Sequence, residues 1–419
     1  MQRPAALMCS IAMNIGACVA HAAAADTVTH SDVANRTCAA MAARVDGESA
    51  AGPVLLRSYD GADGSGPPAE PSQQSAAYIY DNALAVIALL ACDKPRQALR
   101  IGSALRLAAH SGPRLRNAYR AGSVGAAPLA NGWWDAQGNH WAEDSQQQGT
   151  ATGNVAWAAL ALLDLYAATG QSDWRESAQR LAKWILAQTS DPRGAGGFVG
   201  GVEGDDAHAR KVTWKSTEHN IDAAALFDRM AALEGGEWRH PADAARRFLA
   251  SEWDAASGHF FVGTLDDGVT PNRTTSGLDA QLWPLLLAHA PADWARALAY
   301  VESAHRVDGG FDFNADRDGL WLEGTAQAAL AYRVVGRADD AQPLLATIAK
   351  QIAPGGYVYA TREPRITTGL ALNAGSASAD FYYYRRPHLG ATAWAALAAL
   401  GRNPFEPPRQ ASKRERLPK

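Results

Sequence analysis

The sequence predicts an all-α protein in which six inner and six outer helices close into an (α/α)6 toroid. Three observations predict this fold class. A unit made of an apolar helix, a short turn and a more polar amphipathic helix recurs along the chain. A further amphipathic segment precedes the first apolar helix and supplies the missing outer helix. Long irregular segments separate the units, which predicts long loops and short β-hairpins at one face.

The first predicted element is the outer helix SDVANRTCAAMAARV. Ala- and Leu-rich segments then predict inner helices, because a helix that is apolar on nearly all sides must be buried. They begin near residues 80, 153, 216, 277, 321 and 389. Each of the first five is followed by an outer helix with Pro, Ser or Asp capping signals: KPRQALRIGSALRLAAH, SDWRESAQRLAKWILAQ, PADAARRFLASEW, PADWARALAYVESAH and ADDAQPLLATIAKQ.

A four-helix bundle and an open solenoid are the rival arrangements. An open solenoid needs polar capping repeats at both ends, and the last apolar helix has no such cover. The loops favour the toroid as well, since connections within a unit are only a few residues long. The connections between units cover roughly 46–79, 111–152, 189–216, 254–277, 306–321 and 353–388. In a toroid these long loops emerge together at the N-terminal ends of the inner helices, which is therefore the predicted active face.

The chain start predicts a cleaved signal peptide over residues 1–25, with Arg3, an apolar run and small residues near Ala22 to Ala25. A lipoprotein site at Cys18 is the alternative. We expect a periplasmic or secreted protein with one catalytic domain over 26–405 and a polar tail over 406–419. No other apolar run is long enough to span a bilayer.

The 419-residue chain carries a net charge of -4, which is too balanced to suggest a nucleic-acid partner. Its 13 Trp residues are more than ordinary usage, a bias seen where flat rings stack on sugars. Outside the signal peptide only Cys38 and Cys92 remain, either as a disulfide pair or as two buried thiols. Neither lies in a metal-ligand cluster, and we expect no metal site and no cofactor.

Four carboxylates near the starts of inner helices are the candidate catalytic residues: Glu218, Glu323, Asp279 and Asp81. Glycoside hydrolysis needs one carboxylic acid that protonates the leaving oxygen and a second carboxylate that acts as base or nucleophile. A capping acid that complements the helix dipole is the structural interpretation of each. Glu218, in TWKSTEHNIDAAALF, is the leading candidate. Glu143 and Asp144, on the loop before the second inner helix, are weaker candidates.

The candidate substrate contacts are aromatic residues that can stack on sugar rings, and amide, acidic and basic residues that can bind hydroxyl groups. They are Tyr80, Asn82, Trp133, Trp134, Trp141, Asn154, Trp214, His219, Asn220, Asp222, Gln281, Trp321, Gln327, Arg386 and His388.

The acidic stretch DFNADRDGLWLEG, residues 312–324, allows a second interpretation. Its Asn314, Asp316, Asp318 and Gly319 copy the opening of a calcium loop, but no start position puts both the turn glycine and the bidentate Glu in register. We expect these acids to shape the loop by turn hydrogen bonds or a bound cation, and Glu323 to face the cleft by position.

Five segments resemble secreted bacterial proteins of the six-hairpin glycosidase-like superfamily, over roughly residues 75–405: YDNALAVIALL, GNVAWAALALLDLY, TWKSTEHNIDAAALF, NADRDGLWLEGTAQAALAY and RRPHLGATAWAALAALGRNPF. The resemblance implies an (α/α)6 toroid and a role in carbohydrate metabolism. It implies no particular catalytic residue, because that superfamily also contains lyases, epimerases and phosphorylases.

Together these observations predict a glycoside hydrolase that cleaves a polysaccharide or oligosaccharide with two carboxylates. Two alternatives stay open. A polysaccharide lyase acting on a uronate-containing polymer would use Arg385, Arg386, His388 and the tyrosines at 382–384. A carbohydrate-binding protein of an exopolysaccharide system would bind sugar without turnover.

Overall fold

The computed structural model describes residues 30–61, 70–125, 127–371, 378 and 381–408. The predicted signal peptide, with Cys18, lies outside these residues, as does the tail beyond residue 408.

Thirteen α-helices are present in the described part of the chain, beginning with α1 over residues 30–46. The others are α2 (Ile79–Ala91), α3 (Pro95–His110), α4 (Ser145–Gln148), α5 (Thr152–Thr169), α6 (Ser172–Thr189), α7 (Thr217–Glu234), α8 (Arg239–Glu252), α9 (Leu278–Leu282), α10 (Ala297–Ala304), α11 (Leu322–Val334), α12 (Ala338–Lys350) and α13 (Leu389–Leu400). Short 3-10 segments cover Pro71–Gln73, Gly236–Trp238, Trp283–Leu286 and Ala292–Arg296.

The inner helices α2, α5, α7, α9, α11 and α13 pack side by side in this order, and α13 packs against α2 to close the ring. The outer helix α1 lies between α3 and α12. Arg100 of α3 donates to the Val45 carbonyl at 2.6 Å, and Arg36 of α1 donates to the Ala349 carbonyl at 3.5 Å. The predicted (α/α)6 toroid is confirmed.

A disulfide between Cys38 and Cys92 joins α1 to the residue that follows α2. The two cysteines therefore form a disulfide rather than two buried thiols. The bond closes a loop of 54 residues, and a closure of that length restricts the unfolded chain by about 4 kcal/mol in the chain-entropy model.

The fourth inner helix is shorter than the apolar pattern predicts. Helix α9 ends at Leu282 and continues as the 3-10 turn Trp283–Leu286. Pro284 explains the change, because proline has no backbone N–H and its ring clashes with the preceding helical turn. The outer partner also begins as a 3-10 segment, Ala292–Arg296, before α10.

Fifteen short strands lie in the described loops, and all their pairings are antiparallel, as the predicted hairpins require. The pairs are β1 (Val54–Leu55) with β4 (Gly122–Ser123), β2 (Ala76–Tyr78) with β3 (Ala118–Arg120), β5 (Trp133–Asp135) with β6 (His140–Ala142), β10 (Trp253–Asp254) with β11 (His259–Phe260), β12 (Arg306–Val307) with β13 (Gly310–Phe311), and β14 (Arg365–Thr367) with β15 (Tyr382–Tyr384). A three-stranded sheet contains β7 (Thr150–Ala151), β8 (Gly201–Glu203) and β9 (Arg210–Lys211) in that order.

A ring of six backbone hydrogen bonds ties the loops to the inner helices. The first N–H of each inner helix has no partner within its helix. It donates instead, at 2.9 to 3.0 Å, to a carbonyl of the loop that leads into the next inner helix. The last of these bonds, from Leu389 of α13 to Ser58 in the first loop, closes the circle. The loops are therefore fixed to the rim of the toroid.

The fourth residue of several inner helices holds the loop before it. Asn82 accepts from the Leu56 N–H at 2.8 Å and donates to the Leu56 carbonyl at 3.0 Å. Asn220 and Gln281 bind a phenylalanine backbone in the same way. All three amides are fully buried. The oxygen and the nitrogen of each side-chain amide are both hydrogen-bonded to loop backbone, so these residues position loops.

Aromatic side chains fill the axis of the toroid. The rings of Trp157, Trp283 and Trp394 lie 5.5 to 6.0 Å from one another, and Phe405 lies 5.0 Å from Trp157. These rings thus form a packed core between the inner helices. Among the described residues, no helix is both long enough and apolar enough to cross a membrane.

Candidate active site

The N-terminal ends of the six inner helices surround a cavity of about 430 Å³. Loop residues form its rim, and Trp283 of the aromatic core lies at its floor. Ten predicted site residues line it: Tyr80, Asp81, Asn154, Glu218, His219, Asp279, Trp321, Glu323, Arg386 and His388. The predicted active face therefore contains a concave site.

The second residue of each inner helix is the position that faces this site. These residues are Tyr80, Gly153, Glu218, Asp279, Glu323 and Gly390. A Cβ atom on Gly153 would lie 2.7 Å from a carboxylate oxygen of Asp222, and one on Gly390 would lie 2.8 Å from a carboxylate oxygen of Glu323. The two glycines leave room for the acidic side chains, which any larger residue would displace.

Glu218 and Asp279 form a carboxyl pair that shares a hydrogen bond. Glu218 is half-buried and reaches the cavity, whereas Asp279 is only 7% exposed. Burial raises the pKa of Glu218 well above its ordinary value, and the charges of Asp279 and Glu323 raise it further. Burial raises the pKa of Asp279 to about 6, against bonds from the Ala280 N–H and from Glu218. Burial therefore favours a proton shared within this pair of carboxyl groups.

Glu323 is the third carboxylate at the level of this pair. Tyr80 donates to one of its oxygens at 2.6 Å, and Nδ1 of His388 lies 3.4 Å from the other. The Tyr80 hydroxyl in turn accepts a bond from the Trp394 indole at 2.8 Å. Burial raises the pKa of Glu323 to about 7, although His388 opposes the shift.

His388 connects Glu323 to Asp81, whose carboxylate lies 3.5 Å from its Nε2 atom. Nδ1 of His388 also accepts from the Ala391 N–H, so the side chain caps α13. Its ring stacks on Tyr59 at 4.8 Å. Burial lowers the pKa of His388, but Asp81 and Glu323 more than offset that effect, and the net change is upward.

Asp222 and Gln327 lie one helical turn below Glu218 and Glu323, beneath the cavity. Both are fully buried, and in the part of the chain that the structure describes the Gln327 amide makes no hydrogen bond. Burial raises the pKa of Asp222 well above its ordinary value, with added contributions from Glu218 and Asp279. These two residues were predicted substrate contacts, but the structure places them outside the cavity lining.

Seven further predicted contacts also lie outside the cavity lining. Asn82, Asn220 and Gln281 are occupied by loop backbone, as described above. Trp214 packs over Gly200, with its ring 6.0 Å from His219. Trp133, Trp134 and Trp141 belong to the β5–β6 hairpin.

The weaker acidic candidates have structural partners outside the cavity. Glu143 lies 3.4 Å from Arg116, and Asp144 caps α4 by accepting from the Gln147 N–H at 3.0 Å. Neither side chain lines the cavity.

The rim of the cavity contains a bidentate ion pair between Arg386 and Glu70, at 2.7 and 3.1 Å. This hydrogen-bonded pair lowers the pKa of Glu70 despite the opposing effect of burial. Arg386 is only 5% exposed. The positive charge of Arg386 is therefore neutralised by the Glu70 carboxylate.

Several cavity residues were not among the predicted contacts. They come from the loops and include Tyr59, Glu70, Tyr78, Asn117 and Gln146. Asn117, for example, accepts from Asn154 at 2.9 Å and orients it. Tyr78 directly precedes α2, whereas Tyr59, Glu70 and Asn117 lie further from the starts of the inner helices in sequence, and no periodic signal marks them.

The acidic loop contains a compact group of carboxylates. Oxygen atoms of Asp312, Asp316 and Asp318 lie within 4.8 Å of one another. Asp316 accepts from the Thr367 hydroxyl, and Asp318 accepts from the Thr367 N–H at 3.0 Å. Within the loop the Asp316 N–H donates to Asn314 at 2.9 Å and the Asp318 N–H donates to Asp316 at 3.1 Å, which are the expected turn hydrogen bonds. The two bonds to Thr367 attach the loop to β14.

No protein-family model matches the chain, and no curated protein matches it in sequence. Solved structures match it in fold. A glycosidase variant in complex with glucose is 15% identical, with a TM-score of 0.59, over 89% of this chain and 98% of that chain. Cellobiose 2-epimerase from Spirochaeta thermophila DSM 6192 is 14% identical, with a TM-score of 0.56, over 86% of this chain and 92% of that chain. A novel alpha-amylase from Clostridium perfringens is 9% identical, with a TM-score of 0.53, over 78% of this chain and 86% of that chain. These structures, a glycosidase, an epimerase and an alpha-amylase, therefore share the overall fold of this chain.

Proposed function

We propose that the protein is a glycoside hydrolase that cleaves an uncharged oligosaccharide or polysaccharide. The observation that carries the proposal is the shared cavity, which the half-buried carboxyl group of Glu218 lines together with Asp279 and Glu323. This arrangement matches the two-carboxylate chemistry of glycoside hydrolysis.

In the proposed reaction Glu218 is the general acid. Its proton passes to the glycosidic oxygen as the bond from that oxygen to the anomeric carbon breaks. Asp279 favours the protonated state of Glu218 before the reaction, because its negative charge raises the pKa of Glu218. Asp279 accepts a hydrogen bond from Glu218 directly, so a sugar ring does not fit between the two groups.

Glu323 is the second carboxylate of the proposed reaction. It removes a proton from the water that attacks the anomeric carbon, or it attacks that carbon itself. The anomeric configuration of the first product, followed by NMR, separates these two routes. Tyr80 donates to Glu323 at 2.6 Å and holds the carboxylate in place for either one.

The charge of the cavity supports an uncharged substrate. Five carboxylates line it, from Glu70, Asp81, Glu218, Asp279 and Glu323. Among the described residues in the lining, the basic side chains are Arg386, which is paired with Glu70, and His388, which lies between two of the acids. A uronate would be repelled here. The lyase alternative therefore has less support than hydrolysis.

The proposal includes a location outside the cytoplasm. The bond between Cys38 and Cys92 supports it, since disulfides persist in oxidising compartments. Cell fractionation of the native host, with an antibody against the protein, tests this part separately.

The test of the proposed activity is a reducing-end assay on a panel of uncharged and uronate-containing glycans, with the Glu218→Gln variant beside the wild type. We expect new reducing ends from an uncharged glycan with the wild type only. Unsaturated uronate products would establish a lyase instead. Conversion of a reducing-end sugar into its epimer without cleavage would establish an epimerase, the activity named for one of the similar structures. Sugar binding with no turnover would establish a binding protein.

A further inference from the structure

The β5–β6 hairpin presents two tryptophans to solvent. Trp134 is 49% exposed and Trp141 is 57% exposed, and they are the only aromatic residues among the exposed large hydrophobic side chains of the described chain. They are directly opposite each other on the two strands, with ring centroids 5.6 Å apart. An exposed aromatic pair of this size in a folded protein indicates a binding surface.

One member of the pair, Trp141, packs against Arg120. The Arg120 guanidinium lies 4.1 Å from the centroid of the Trp141 ring. Arg120 also donates to the Asn131 carbonyl at 2.7 Å, just before the hairpin begins. A rigid aromatic surface loses little conformational entropy when a ligand stacks on it.

The hairpin is attached to the wall of the cavity. Strand β5 packs against the 3-10 segment Pro71–Gln73, and Ser72 and Gln73 line the cavity. Only Glu143 and Asp144 separate β6 from α4, whose Gln146 also lines the cavity. The hairpin that carries the exposed tryptophans therefore borders the rim.

The cavity itself takes only part of a chain. Its volume of about 430 Å³ is that of a pocket for a ligand of drug size, and the aromatic core closes its floor. If one end of a longer glycan occupies the cavity, the rest of the chain must extend across the rim. The faces of sugar rings are apolar, and Trp is the largest flat side chain available to stack on them.

We propose that the β5–β6 hairpin is a second sugar-binding surface, on which Trp134 and Trp141 stack with the outer residues of a glycan whose end occupies the cavity. This proposal rests on the proposed function for the occupant of the cavity. It identifies the substrate class as a chain attacked at its end rather than a free disaccharide.

The test compares the wild type with Trp134→Ala/Trp141→Ala on a disaccharide and on a longer oligomer of the same uncharged sugar. We expect the double variant to lose about tenfold in kcat/KM on the oligomer and to keep the wild-type value on the disaccharide. Equal losses on both substrates, or no loss on the oligomer, would overturn the proposal.

Two further variants serve as controls. Trp141→Phe keeps an aromatic face and should retain most of the preference for the oligomer. Leu233→Ala removes an exposed hydrophobic side chain at the end of α7, remote from the hairpin, and should change neither substrate. A loss of the preference in Leu233→Ala would contradict the assignment to the hairpin.

A binding measurement separates this proposal from the proposed activity. Retardation of the wild type in native gels that contain a soluble uncharged polysaccharide, abolished in the double variant, supports the hairpin even if no substrate is cleaved. Cleavage without any effect of the double variant on retardation or on chain-length preference overturns the hairpin and leaves the activity standing. A wild-type dimer that the double variant dissociates, seen by light scattering, would make the hairpin a protein interface and overturn the proposal.

Discussion

A buried acid is paired with arginine at one end of the toroid, whereas three cavity acids at the other end lie without such a partner in the described chain. At the C-terminal end of the inner helices Asp164, only 1% exposed, is bound by Arg229 at 2.7 Å and Arg402 at 3.2 Å. At the N-terminal end Glu218, Asp279 and Glu323 share a cavity without an arginine or lysine bound to any of them in the described chain. One end uses arginine to neutralise its acid. At the other end burial raises the pKa values of all three carboxyl groups, and the charges of neighbouring acids add to the rise for Glu218 and Glu323.

Cavity size does not distinguish the two ends. The C-terminal end has a larger cavity, of about 640 Å³, which includes Asp228 and Arg246. These two residues form an ion pair with each other. What distinguishes the N-terminal end is a set of carboxyl groups that hold or release protons near neutral pH, and perturbed groups of this kind concentrate at functional sites.

Glu218→Gln is expected to have the largest effect, a loss of about 10³-fold in kcat, because an amide cannot supply the proton for the leaving oxygen. Steady-state kinetics and a thermal melt measure activity and folding together. Glu252→Gln is the matched control. Glu252 is buried, and burial raises its pKa to about 8, but it lies outside the cavity. Equal losses of activity in the two variants would contradict the assignment of Glu218 as the general acid.

Asp164→Asn tests the opposite end. The change leaves Arg229 and Arg402 without their shared anion, and removing one partner of a buried ion pair costs about 3 kcal/mol. We expect a lower urea midpoint and an unchanged kcat, measured well below the unfolding temperature. A loss of kcat in the folded variant would show that the two ends are coupled.

The pH dependence of kcat/KM is the next test. Glu323 must be ionised to act as base, so activity should rise with pH through its raised pKa of about 7. Glu218 must be protonated, so activity should fall at the higher pH where that group ionises. Asp279→Asn removes a charge that raises the pKa of Glu218, and we expect its falling limb to move to lower pH. A shift to higher pH would contradict the pairing.

Asp222→Asn is expected to have a smaller effect, and on stability. The folded-state pKa of Asp222 is raised, so the folded protein binds its proton more tightly than the unfolded chain does. Stability from this group is complete below about pH 4 and is lost as pH rises toward the folded-state pKa. Asparagine cannot ionise, so the variant should melt at a higher temperature than the wild type at pH 8 and not at pH 4. A gain of equal size at both pH values would contradict the assignment to ionisation.

Much of the fold could be predicted from sequence because the apolar and amphipathic periodicities are strong. The proline inside LDAQLWPLL was visible too, but its effect on α9 depends on local packing. At the site, Glu218, Asp279 and Glu323 could be found because they occupy one position, the second residue of an inner helix. Asn82, Asn220 and Gln281 are only two residues further along, yet they face the preceding loop. Helix boundaries read from a sequence pattern are uncertain by about two residues, so the pattern cannot distinguish the second residue of a helix from the fourth.

The loop contributions could not be predicted for a different reason. Glu70 and Arg386 are 316 residues apart in sequence, and they meet because the ring closes. Trp134 and Trp141 were predicted from their residue type, but their position at the rim depends on the packing of β5 against the segment Pro71–Gln73.

The most direct test of the central claim is a comparison of aryl glycosides with good and poor leaving groups in the Glu218→Gln variant. A good leaving group needs no proton. Loss of the general acid therefore lowers kcat/KM only for a substrate with a poor leaving group. We predict that the variant keeps near wild-type kcat/KM on 2,4-dinitrophenyl glycosides of the sugar that the panel identifies and loses about 10³-fold on the unsubstituted phenyl glycoside. Equal losses on both substrates would contradict the assignment of Glu218 as the acid that serves the leaving group.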